Sequence, residues 1–531
     1  MGKSSRKAKM PRHNTANDAI TKSLYMPNDR KLLGARLIQR TRTFQYFIAG
    51  IISLTTLLAY LPSLWNGFVW DDEEYVNKNL IIQSFNFDLI KSAFLDFREA
   101  NWHPLTWISH AIDYAIWGVN PVGHHLTNVI LHALNTAVLV FIVIQMLSIY
   151  RSRTEMQTAS PWLTERGVLI TAGVTSLLFG LHPIHVESVA WVAERKDLLC
   201  AFFFLLTMLA YTKYVNVIDN ASIQKTVKIR FLREHYLFAL GFFILALLSK
   251  PMAVSLPIVL LILDWYPFKR IHSVKNLWPI FYEKIPFFSL SLISSIITIL
   301  AQKAGHALTI METVPLSKRL LVAVKSLIAY LLKIILPTNL IPFYPYPKDI
   351  SLLSLEYPLT IILAVGITVI CIVRASRERF WLSLWFYYIV TLIPVIGIIQ
   401  VGAQAMADRY TYLPSLGPFL MMGLVMAWSW NRVDDLRIKR AIKQLFAISA
   451  FMILSVAMTY LTVEQIGMWK DDITFWSYVI EKEPYSASFV YNNRGIAFDK
   501  MGRFDKAIAD FQNDCDLGDR DGCNKLWISR H

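Results

Sequence analysis

Four consecutive carboxylates, Asp71 to Glu74, directly follow a long apolar stretch in "NGFVWDDEEYV". A carboxylate at the mouth of a membrane span is partly shielded from water, which raises its pKa and suits it to act as a general base. Trp70 and Tyr75 flank the run, and such aromatic residues would hold the acids at the depth of the lipid headgroups. Asp71 and Asp72 are therefore candidates for a general base, the alternative being a solvated loop that only marks the interface.

Two cations occur at comparable places further along the chain. Lys250 in "LLSKP" ends an apolar segment and Pro251 begins the next, while Arg409 in "MADRYTYLP" stands beside Asp408 and Tyr410. Two cations that face one cavity suit a lipid-linked phosphate, which Arg binds through paired donors and Lys as a point charge. Pairing with the headgroups of bulk lipid is the alternative.

The stretch "HPIHVESVAWVAERKD" carries a second group of polar residues. His182, His185 and Glu187 have side chains that bind divalent metals, but they could equally hydrogen-bond an acceptor or cap a span. The charged residues at 194–197 form either a local ion-pair group or part of a site, in which Arg195 would be a further candidate to bind a lipid-linked phosphate. Spacing alone leaves these alternatives open.

The elements that position these residues are membrane helices. The 531 residues are 55% hydrophobic and only 17% charged, which is typical of a multispanning membrane protein. The 53 Lys+Arg outnumber the 38 Asp+Glu, but the basic residues fall in short clusters between apolar runs, as in cytoplasmic loops. This pattern argues against a nucleic-acid partner.

A window of about 20 apolar residues predicts eleven spans, at 44–64, 125–148, 167–183, 197–215, 236–250, 253–268, 285–302, 358–373, 380–399, 414–430 and 444–462. With the N-terminus inside, every strongly basic loop falls on one side and the chemically distinctive residues on the other. Counting Leu320 to Leu336 as a span would reverse this bias, so we predict that it lies in the outer interface, where Lys325 and Lys333 fit. Three regions follow: a basic cytoplasmic segment (1–43), a transmembrane catalytic domain (44–462) and an outer helical tail (463–531).

The tail has the spacing of one tetratricopeptide helix pair, at about 488–521. Small and aromatic residues recur in "VYNNRGIAFDKMGRFDKAIADF" as they do where two such helices pack closely. Arrays of this kind usually need three or more repeats. We therefore expect the tail to pack on the membrane domain or on a partner.

Taken in order, the motifs resemble a known family. "FVWDDEEY", "HPLTWISHAIDYAIWGVNPVGHHLTNVILHALN", "LFGLHPIHVESVAWVAERKD", "LLSKP" and "ADRYTYLPSLG", followed by the tail, are similar to the transmembrane O-mannosyltransferases with tetratricopeptide repeats and their bacterial relatives. The resemblance covers residues from about 44 to 521. It implies an all-α polytopic fold of the GT-C type, a class of glycosyltransferases that take a sugar from a polyprenyl-phosphate carrier on the non-cytoplasmic side.

By position, the resemblance makes Asp71 the base that deprotonates an acceptor hydroxyl, with Asp72 in support. His182 and Glu187 align with the family's motif in the second outer loop. The remaining candidates are predictions from the residues themselves: Lys250, Arg195 and Arg409 for the donor phosphate, and His103, His185 and Tyr410, together with His182 and Glu187, for the acceptor or for support. Two features depart from the family: "WHPLT" (102–106) replaces an arginine-containing version, and the repeat array is cut to about one unit. A divalent metal held by His182, His185 and Glu187 is the only cofactor that these residues suggest.

The predicted function is an inverting transfer of a hexose such as mannose to a hydroxyl of a periplasmic or lumenal protein. The partners would be the bilayer, the lipid-linked sugar and the acceptor protein. Compact loops and a short tail favour a bacterial inner membrane, with the N-terminus cytoplasmic and the site and C-terminus periplasmic. Three alternatives stay open: the same chemistry on a lipid or polysaccharide, a lipid-linked-sugar flippase or transporter, and a nonenzymatic assembly factor. The transporter is disfavoured because ionisable residues crowd one surface rather than the midplane.

The tail also contains Cys515 and Cys523, eight residues apart in "DCDLGDRDGC". On one continuous helix their Cα atoms would be about 12 Å apart, beyond the roughly 7 Å limit for a disulfide. Gly518 and Gly522 argue instead for a helix end and a turn that brings the thiols together. The spacing also resembles the tied Cys pairs of Sel1-like repeats. We therefore predict a disulfide in an outer tail, against the alternative of two free thiols in a cytosolic one.

Overall fold

The computed structural model describes residues 28–153, 163–220, 233–305, 314–347, 349–399, 402, 404–431, 437–484 and 488–530. Residues 1–27 of the predicted basic segment, the basic stretch in 221–232, and Arg432 of the last predicted inner loop lie outside them. The described residues are almost entirely helical, apart from a two-stranded antiparallel ribbon of β1 (Tyr344–Pro345) and β2 (Gln404–Met406). The predicted all-α class is therefore confirmed.

The helices of the membrane portion follow the apolar runs of the sequence. They are α1 (Asn28–Tyr60), α2 (Phe87–Leu95), α3 (Pro104–Trp117), α4 (Pro121–Arg153), α5 (Glu165–Leu181), α6 (Val186–Ala190), α7 (Arg195–Asn220), α8 (Glu234–Ser249), α9 (Leu256–Trp265), α10 (Val274–Ala304), α11 (Leu316–Ile335), α12 (Glu356–Ala375), α13 (Arg379–Leu392), α14 (Leu416–Asn431) and α15 (Arg437–Gly467). By contact the chain divides into two compact units, Met1–Ile48 and Ala49–His531. The boundaries predicted at 43 and 462 stay predictions.

Six helices in the described part of the chain are long and apolar enough to cross a membrane. They are Thr43–Trp65, Pro121–Arg153, Val192–Ile218, Leu277–Ala304, Glu356–Ala375 and Ala441–Gly467. A seventh span results if Glu165–Leu181 and Pro183–Ala190, which are bent by 53°, count as one. The multi-pass architecture agrees with the sequence, whereas the number eleven stays a prediction because Glu234–Ser249 and Pro251–Trp265 are shorter apolar helices.

The segment predicted to lie in the interface forms α11, which is not among those six helices. One side of it is buried through Val322, Ala323 and Tyr330. Lys325 is partly exposed and pairs with Glu356 at 2.8 Å. This two-sided character is what an interfacial helix requires, and the predicted location stays open.

Helix α4 carries the polar side chains that position the loops of the site. Asn128 donates from its Nδ2 to the backbone carbonyls of Val189 (3.2 Å) and Trp191 (3.1 Å). One and two turns further on, His132 lies 2.7 Å from the Tyr412 hydroxyl, and Asn135 donates to that hydroxyl at 3.1 Å. Because these side chains satisfy irregular backbone inside the bundle, the 182–194 segment is tied to α4 and to the segment after Arg409.

The tail forms α16 (Asp472–Lys482), α17 (Ser488–Lys500), α18 (Phe504–Asp516) and α19 (Arg520–Arg530). Gly495 of α17 faces α18 so closely that an added Cβ would lie 2.7 Å from the Phe511 ring, which explains the small residue there. Arg494 clamps the pair through two bonds to Asp510, of 2.8 and 2.7 Å. Phe489 packs edge-on against Phe343, with ring centroids 4.9 Å apart. The tail thus packs on the chain itself, as expected of a short array.

In the structure Cys515 and Cys523 form a disulfide, with Cα atoms 4.6 Å apart. Helix α18 ends at Asp516, and Gly518 adopts φ +96°, the left-handed turn that returns the chain. Of the two glycines in the sequence argument, Gly518 lies in the turn, whereas Gly522 lies within α19.

We expect thiol alkylation of denatured, unreduced protein to leave Cys515 and Cys523 unlabelled. The buried free thiols Cys200 and Cys371 provide the internal control, since they should label fully once the chain is denatured. After reduction all four should label. Labelling of Cys515 and Cys523 before reduction, in protein from its native compartment, would show that the bridge is absent and would argue against an oxidising location for the tail.

Candidate active site

The acidic loop after α1 is held in a conformation that a large side chain seldom adopts. Trp70 has φ +57°, a left-handed value that is uncommon for a bulky residue and persists only where the surroundings enforce it. Two features enforce it here. The indole stacks on Trp191, with ring centroids 4.8 Å apart and planes 5° from parallel, and the Trp70 amide donates to Asp472 Oδ1 at 2.9 Å. The strained residue immediately precedes Asp71, so the clamp fixes the direction of that carboxylate.

Asp72 is buried and serves as a tie between two loops. Its Oδ2 accepts from the amide of Val69 at 3.0 Å, and its Oδ1 accepts from the amide of Ala193 at 2.6 Å. Burial raises the pKa of Asp72 to about 8, although both amides favour the charged form. Asp72 thus connects the acidic loop to the segment at Ala193, and its supporting role in a reaction stays a prediction.

Asp71 is half-buried and differs from Asp72 in its contacts. Among the residues that the structure describes, none donates a hydrogen bond to its carboxylate or pairs with it within 4 Å. Burial raises the pKa of Asp71 to about 6, while Lys196 and Arg409 lie near enough to oppose that rise. A partly accessible carboxylate with a pKa close to neutrality is suited to accept a proton.

A cluster of alternating charges lies beside this loop. Glu187 pairs with the Arg409 guanidinium and also accepts from the Arg409 amide at 2.9 Å. Glu194 is shared by three cations: Lys196 at 3.1 Å, Lys250 at 3.1 Å and Arg409 Nε at 3.4 Å. Three cations from separate parts of the sequence therefore converge on one carboxylate.

The same cluster reaches the aromatic residues of the site. Lys196 Nζ donates to the Tyr75 hydroxyl at 3.1 Å and lies 4.7 Å from the centre of that ring. The Arg409 guanidinium lies 5.4 Å from the Trp191 ring and 4.9 Å from the Tyr410 ring. Tyr410, a predicted supporting residue, is thus a neighbour of Arg409. Lys250 also pairs with Asp197, which completes a network of three cations and three acids.

His103, predicted to support the site, is buried behind Tyr75. Its Nε2 lies 3.5 Å from the Tyr75 hydroxyl, and its ring packs against Trp107 with centroids 4.9 Å apart. Burial and the nearby Lys196 lower the pKa of His103 well below its usual value. A neutral imidazole at this place orients Tyr75, which in turn accepts from Lys196.

His182 and His185 use both ring nitrogens in protein contacts. His182 contacts the carbonyl of Ile334 at 3.0 Å and accepts from the Ile184 amide at 3.2 Å. His185 contacts the carbonyl of Phe179 at 2.8 Å and Ser415 Oγ at 3.0 Å. Within the described ranges no three His, Cys, Asp or Glu side chains are grouped to hold a metal ion. The three candidates for metal binding therefore do not converge on one point. The two histidines contact backbone groups and Ser415, and Glu187 pairs with Arg409.

Arg195 lies apart from the charge cluster and is fully buried. Its Nη1 pairs with Asp113 at 2.5 Å, its Nε donates to Asn128 at 2.9 Å, and its Nη2 donates to the His124 carbonyl at 2.8 Å. These bonds join α3, α4 and α7. Arg195 therefore connects three helices, whereas its sequence neighbour Lys196 pairs with Glu194 in the charge cluster.

The sequence analysis did not predict that the segment after α15 packs against the acidic loop. Gly67 donates from its amide to the carbonyl of Lys470 at 2.9 Å, and Trp469 packs on Trp191 with ring centroids 5.5 Å apart. Phe475 and Trp476 complete the aromatic enclosure of Trp70. The aromatic residues in "MWKDDITFW", directly after a predicted span, could have indicated this packing.

We expect Asp472→Ala to loosen the acidic loop without unfolding the protein. The substitution removes the carboxylate that accepts from the Trp70 amide. A hydrogen bond to a charged group contributes about 1.5–3 kcal/mol to stability. Its loss should therefore accelerate amide exchange in residues 66–77 about tenfold or more. Hydrogen-exchange mass spectrometry measures this directly. Asp471→Ala is the matched control, because Asp471 caps α16 through the Thr474 amide at 2.8 Å and makes no contact with Trp70. Equal exchange in both variants would refute the clamp.

The sequence is similar to curated animal protein O-mannosyl-transferases. It is 34% identical to human TMTC4 over 175 residues, which are 31% of this chain and 22% of that protein. It is 33% identical to Drosophila melanogaster Tmtc2 over 165 residues (29% and 16%), and 31% identical to Tmtc1 of the same species over 176 residues (32% and 18%). The resemblance drawn from the motifs is thus confirmed, and the aligned part spans about a fifth of the length of these relatives.

Two further comparisons complete these findings. No protein-family model matches the chain. Among solved structures, ArnT from Cupriavidus metallidurans bound to undecaprenyl phosphate aligns with 83% of this chain and 79% of its own, at 11% identity and a TM-score of 0.33. A likeness at this level carries no information on the site.

Proposed function

We propose that the protein is an integral-membrane glycosyltransferase that moves a hexose such as mannose from a polyprenyl-phosphate carrier to a hydroxyl of a protein acceptor. The observation that carries the proposal is Asp71: a half-buried carboxylate with a raised pKa, fixed by a strained neighbour and next to a cluster of cations. The similarity to proteins named O-mannosyl-transferases supports the choice of reaction. The reaction would take place on the periplasmic face of a bacterial inner membrane.

In the proposed reaction Asp71 takes the proton of the acceptor hydroxyl. The hydroxyl oxygen attacks the anomeric carbon of the sugar from the side opposite the phosphate, and the bond between that carbon and the phosphate oxygen breaks. The phosphate departs with the bonding electron pair, and the anomeric configuration inverts. Because the lipid stays in the bilayer, the sugar carbon reacts near headgroup depth, which is where an acid loop directly after a span lies.

The cations of the cluster would stabilise the charge that develops on the leaving phosphate. Lys196, Lys250 and Arg409 already face Glu187, Glu194 and Asp197, so an incoming phosphate would share donors that the protein has oriented beforehand. Donors that need no reorganisation during the reaction are the efficient arrangement for such stabilisation. In this proposal Lys196 takes the phosphate-facing role that the sequence suggested for Arg195.

The direct test is transfer by purified protein in nanodiscs, with polyprenyl-phosphate mannose as donor. Glycopeptides detected by mass spectrometry would support a protein acceptor, whereas labelled lipid or polysaccharide would support the same chemistry on another acceptor. Movement of the intact donor across liposome membranes without transfer would refute the enzyme and support a flippase. Comparison of periplasmic glycoproteins from a deletion strain and its parent would identify the natural acceptor.

We expect the transfer rate to fall on the acid side of pH 6. With a pKa of about 6, Asp71 loses its base form below that pH, so kcat/KM should drop about tenfold per pH unit and level off above pH 7. The same shift has a consequence for stability: the folded protein holds the Asp71 proton up to a higher pH than the unfolded chain, so this group lowers the free energy of unfolding as pH rises from 3.8 to about 6. A rate that is flat between pH 5 and 7 would contradict the assignment.

A further inference from the structure

A large apolar cavity lies at a distance from the charge cluster. Its volume is about 860 Å³, within the range of ligand-binding sites. Side chains of α4, α7, α9, α13 and α14 form its walls, among them Leu139, Val143, Met146, Leu205 and Leu420. Neither the proposed reaction nor the comparisons assign it a role.

The cavity extends to the end of α4 that is remote from Asp71. Helix α4 provides the measure, because His125 near its start lies 3.3 Å from the Gly67 carbonyl at the acid loop, and Tyr150 near its end lines the cavity. The 25 residues between them correspond to about 38 Å of helix, more than the thickness of the hydrocarbon core. The two sites therefore belong to different leaflets.

The mouth of the cavity is basic. Lys269, Arg377 and Arg379 line it together with one carboxylate, Glu378. Lys269 Nζ lies 5.0 Å from the centre of the Tyr150 ring. The Arg379 guanidinium lies 5.6 Å from the Trp265 ring and donates to the Ile271 carbonyl at 3.4 Å. Within the described ranges Arg379 makes no ion pair with a carboxylate, so positive charge predominates at the opening.

Apolar walls beneath a basic, aromatic mouth match an amphipathic anion that comes from the bilayer itself. Tyr and Trp side chains favour the headgroup level, and Lys and Arg there attract anionic lipid. A zwitterionic lipid fits less well, because the positive group of its own headgroup would lie beside these cations and be repelled by them. The carrier of the proposed reaction fits poorly, because its phosphate would lie about 38 Å from the level of Asp71.

We propose that this cavity binds one anionic phospholipid, with its phosphate between Lys269 and Arg379 and its acyl chains along α4 and α14. The proposal does not rest on the glycosyltransferase activity. It predicts that the protein retains phosphatidylglycerol in preference to phosphatidylcholine.

Native mass spectrometry of the full chain in phosphatidylcholine nanodiscs, titrated with phosphatidylglycerol, tests the proposal. The unmodified protein should bind one phosphatidylglycerol per chain. Lys269→Ala with Arg379→Ala should weaken that binding roughly 25-fold, about fivefold for each cation. Arg374→Ala is the matched control, since Arg374 is an exposed cation near the end of α12 that does not line the cavity, and binding should change less than about twofold.

A second variant separates the cavity from general surface charge. Met146→Trp narrows the apolar part of the cavity and leaves every cation in place. Because crowding an apolar site costs about 1–3 kcal/mol, it should weaken lipid binding about tenfold or more, while the protein still elutes as the unmodified chain does. The proposal is overturned if the double variant binds phosphatidylglycerol normally, if phosphatidylcholine binds equally well, or if polyprenyl phosphate displaces the bound lipid at equal concentration.

Discussion

Asp71→Asn is expected to lower the rate of sugar transfer by about 10²–10⁴-fold, the contribution of a positioned general base. The amide keeps the shape of the side chain but cannot accept the proton of an acceptor hydroxyl. The hydrogen bonds that hold the loop involve the Asp72 carboxylate and the Trp70 amide, so the loop should keep its conformation. Single-turnover transfer by purified protein measures the effect, and donor affinity should change much less.

The acidic loop provides its own control for this experiment. Glu74 is exposed and pairs with Lys78 at 2.7 Å on the outer side of the same loop. Glu74→Gln removes one charge at nearly the same position in the sequence and should leave transfer within about twofold of normal, because an exposed pair contributes little. Near-normal turnover in Asp71→Asn, or an equal loss in both variants, would show that Asp71 is not the base.

Arg409→Ala should cause the second large effect, a loss of donor affinity of at least about 100-fold together with reduced thermal stability. The substitution removes the cation that faces Glu187 and Glu194. Breaking a buried pair leaves a carboxylate without compensation, a cost of about 3–5 kcal/mol, and the donor phosphate loses its paired donors. Arg409→Lys should also be impaired, since one ammonium cannot reproduce the planar arrangement of donors. Donor titration and thermal unfolding of the same samples measure the two effects.

The control for Arg409 is an arginine of similar chemistry outside the site. Arg494 makes two bonds to Asp510 between the tail helices, so Arg494→Ala should lower stability and leave donor affinity unchanged. If Arg409→Ala lowers stability to the same degree but binds the donor normally, Arg409 has a structural role only. If only the affinity for the acceptor changes, the roles assigned to the two substrates are wrong.

Much of the architecture follows from short-range information in the sequence. Apolar runs of membrane-spanning length become helices because every backbone group must be satisfied within its own segment, and this is a local property that a window can detect. Asp71 follows shortly after the end of the first such run. The tail pair and its disulfide were also predictable, since Gly495 faces Phe511 and Gly518 turns the chain within a few dozen residues.

The sequence could not predict which partners two adjacent charged side chains contact. Arg195 and Lys196 are adjacent in sequence, yet Arg195 joins Asp113 and Asn128, whereas Lys196 faces Glu194 and Tyr75. The direction of each side chain depends on which helices pack on either side, and no local pattern encodes that. The histidines at 182 and 185 illustrate the same limit, because their types allow metal binding and only their packing assigns them to backbone carbonyls.

The sequence by itself predicted that acids and cations gather at one membrane face, because helix length and charge asymmetry are additive properties of the chain. Only the tertiary structure decided which of them meet. Trp70, Trp191 and Trp469 form one stack although about 400 residues separate the first from the last, and Asp472 fixes the backbone that carries Asp71. These contacts depend on the simultaneous packing of α1, α4, α7 and α15. Buried side chains of this bundle, such as Asn128, form hydrogen bonds with the backbone of the loops. The conformation of the acidic loop is therefore a property of the assembled bundle.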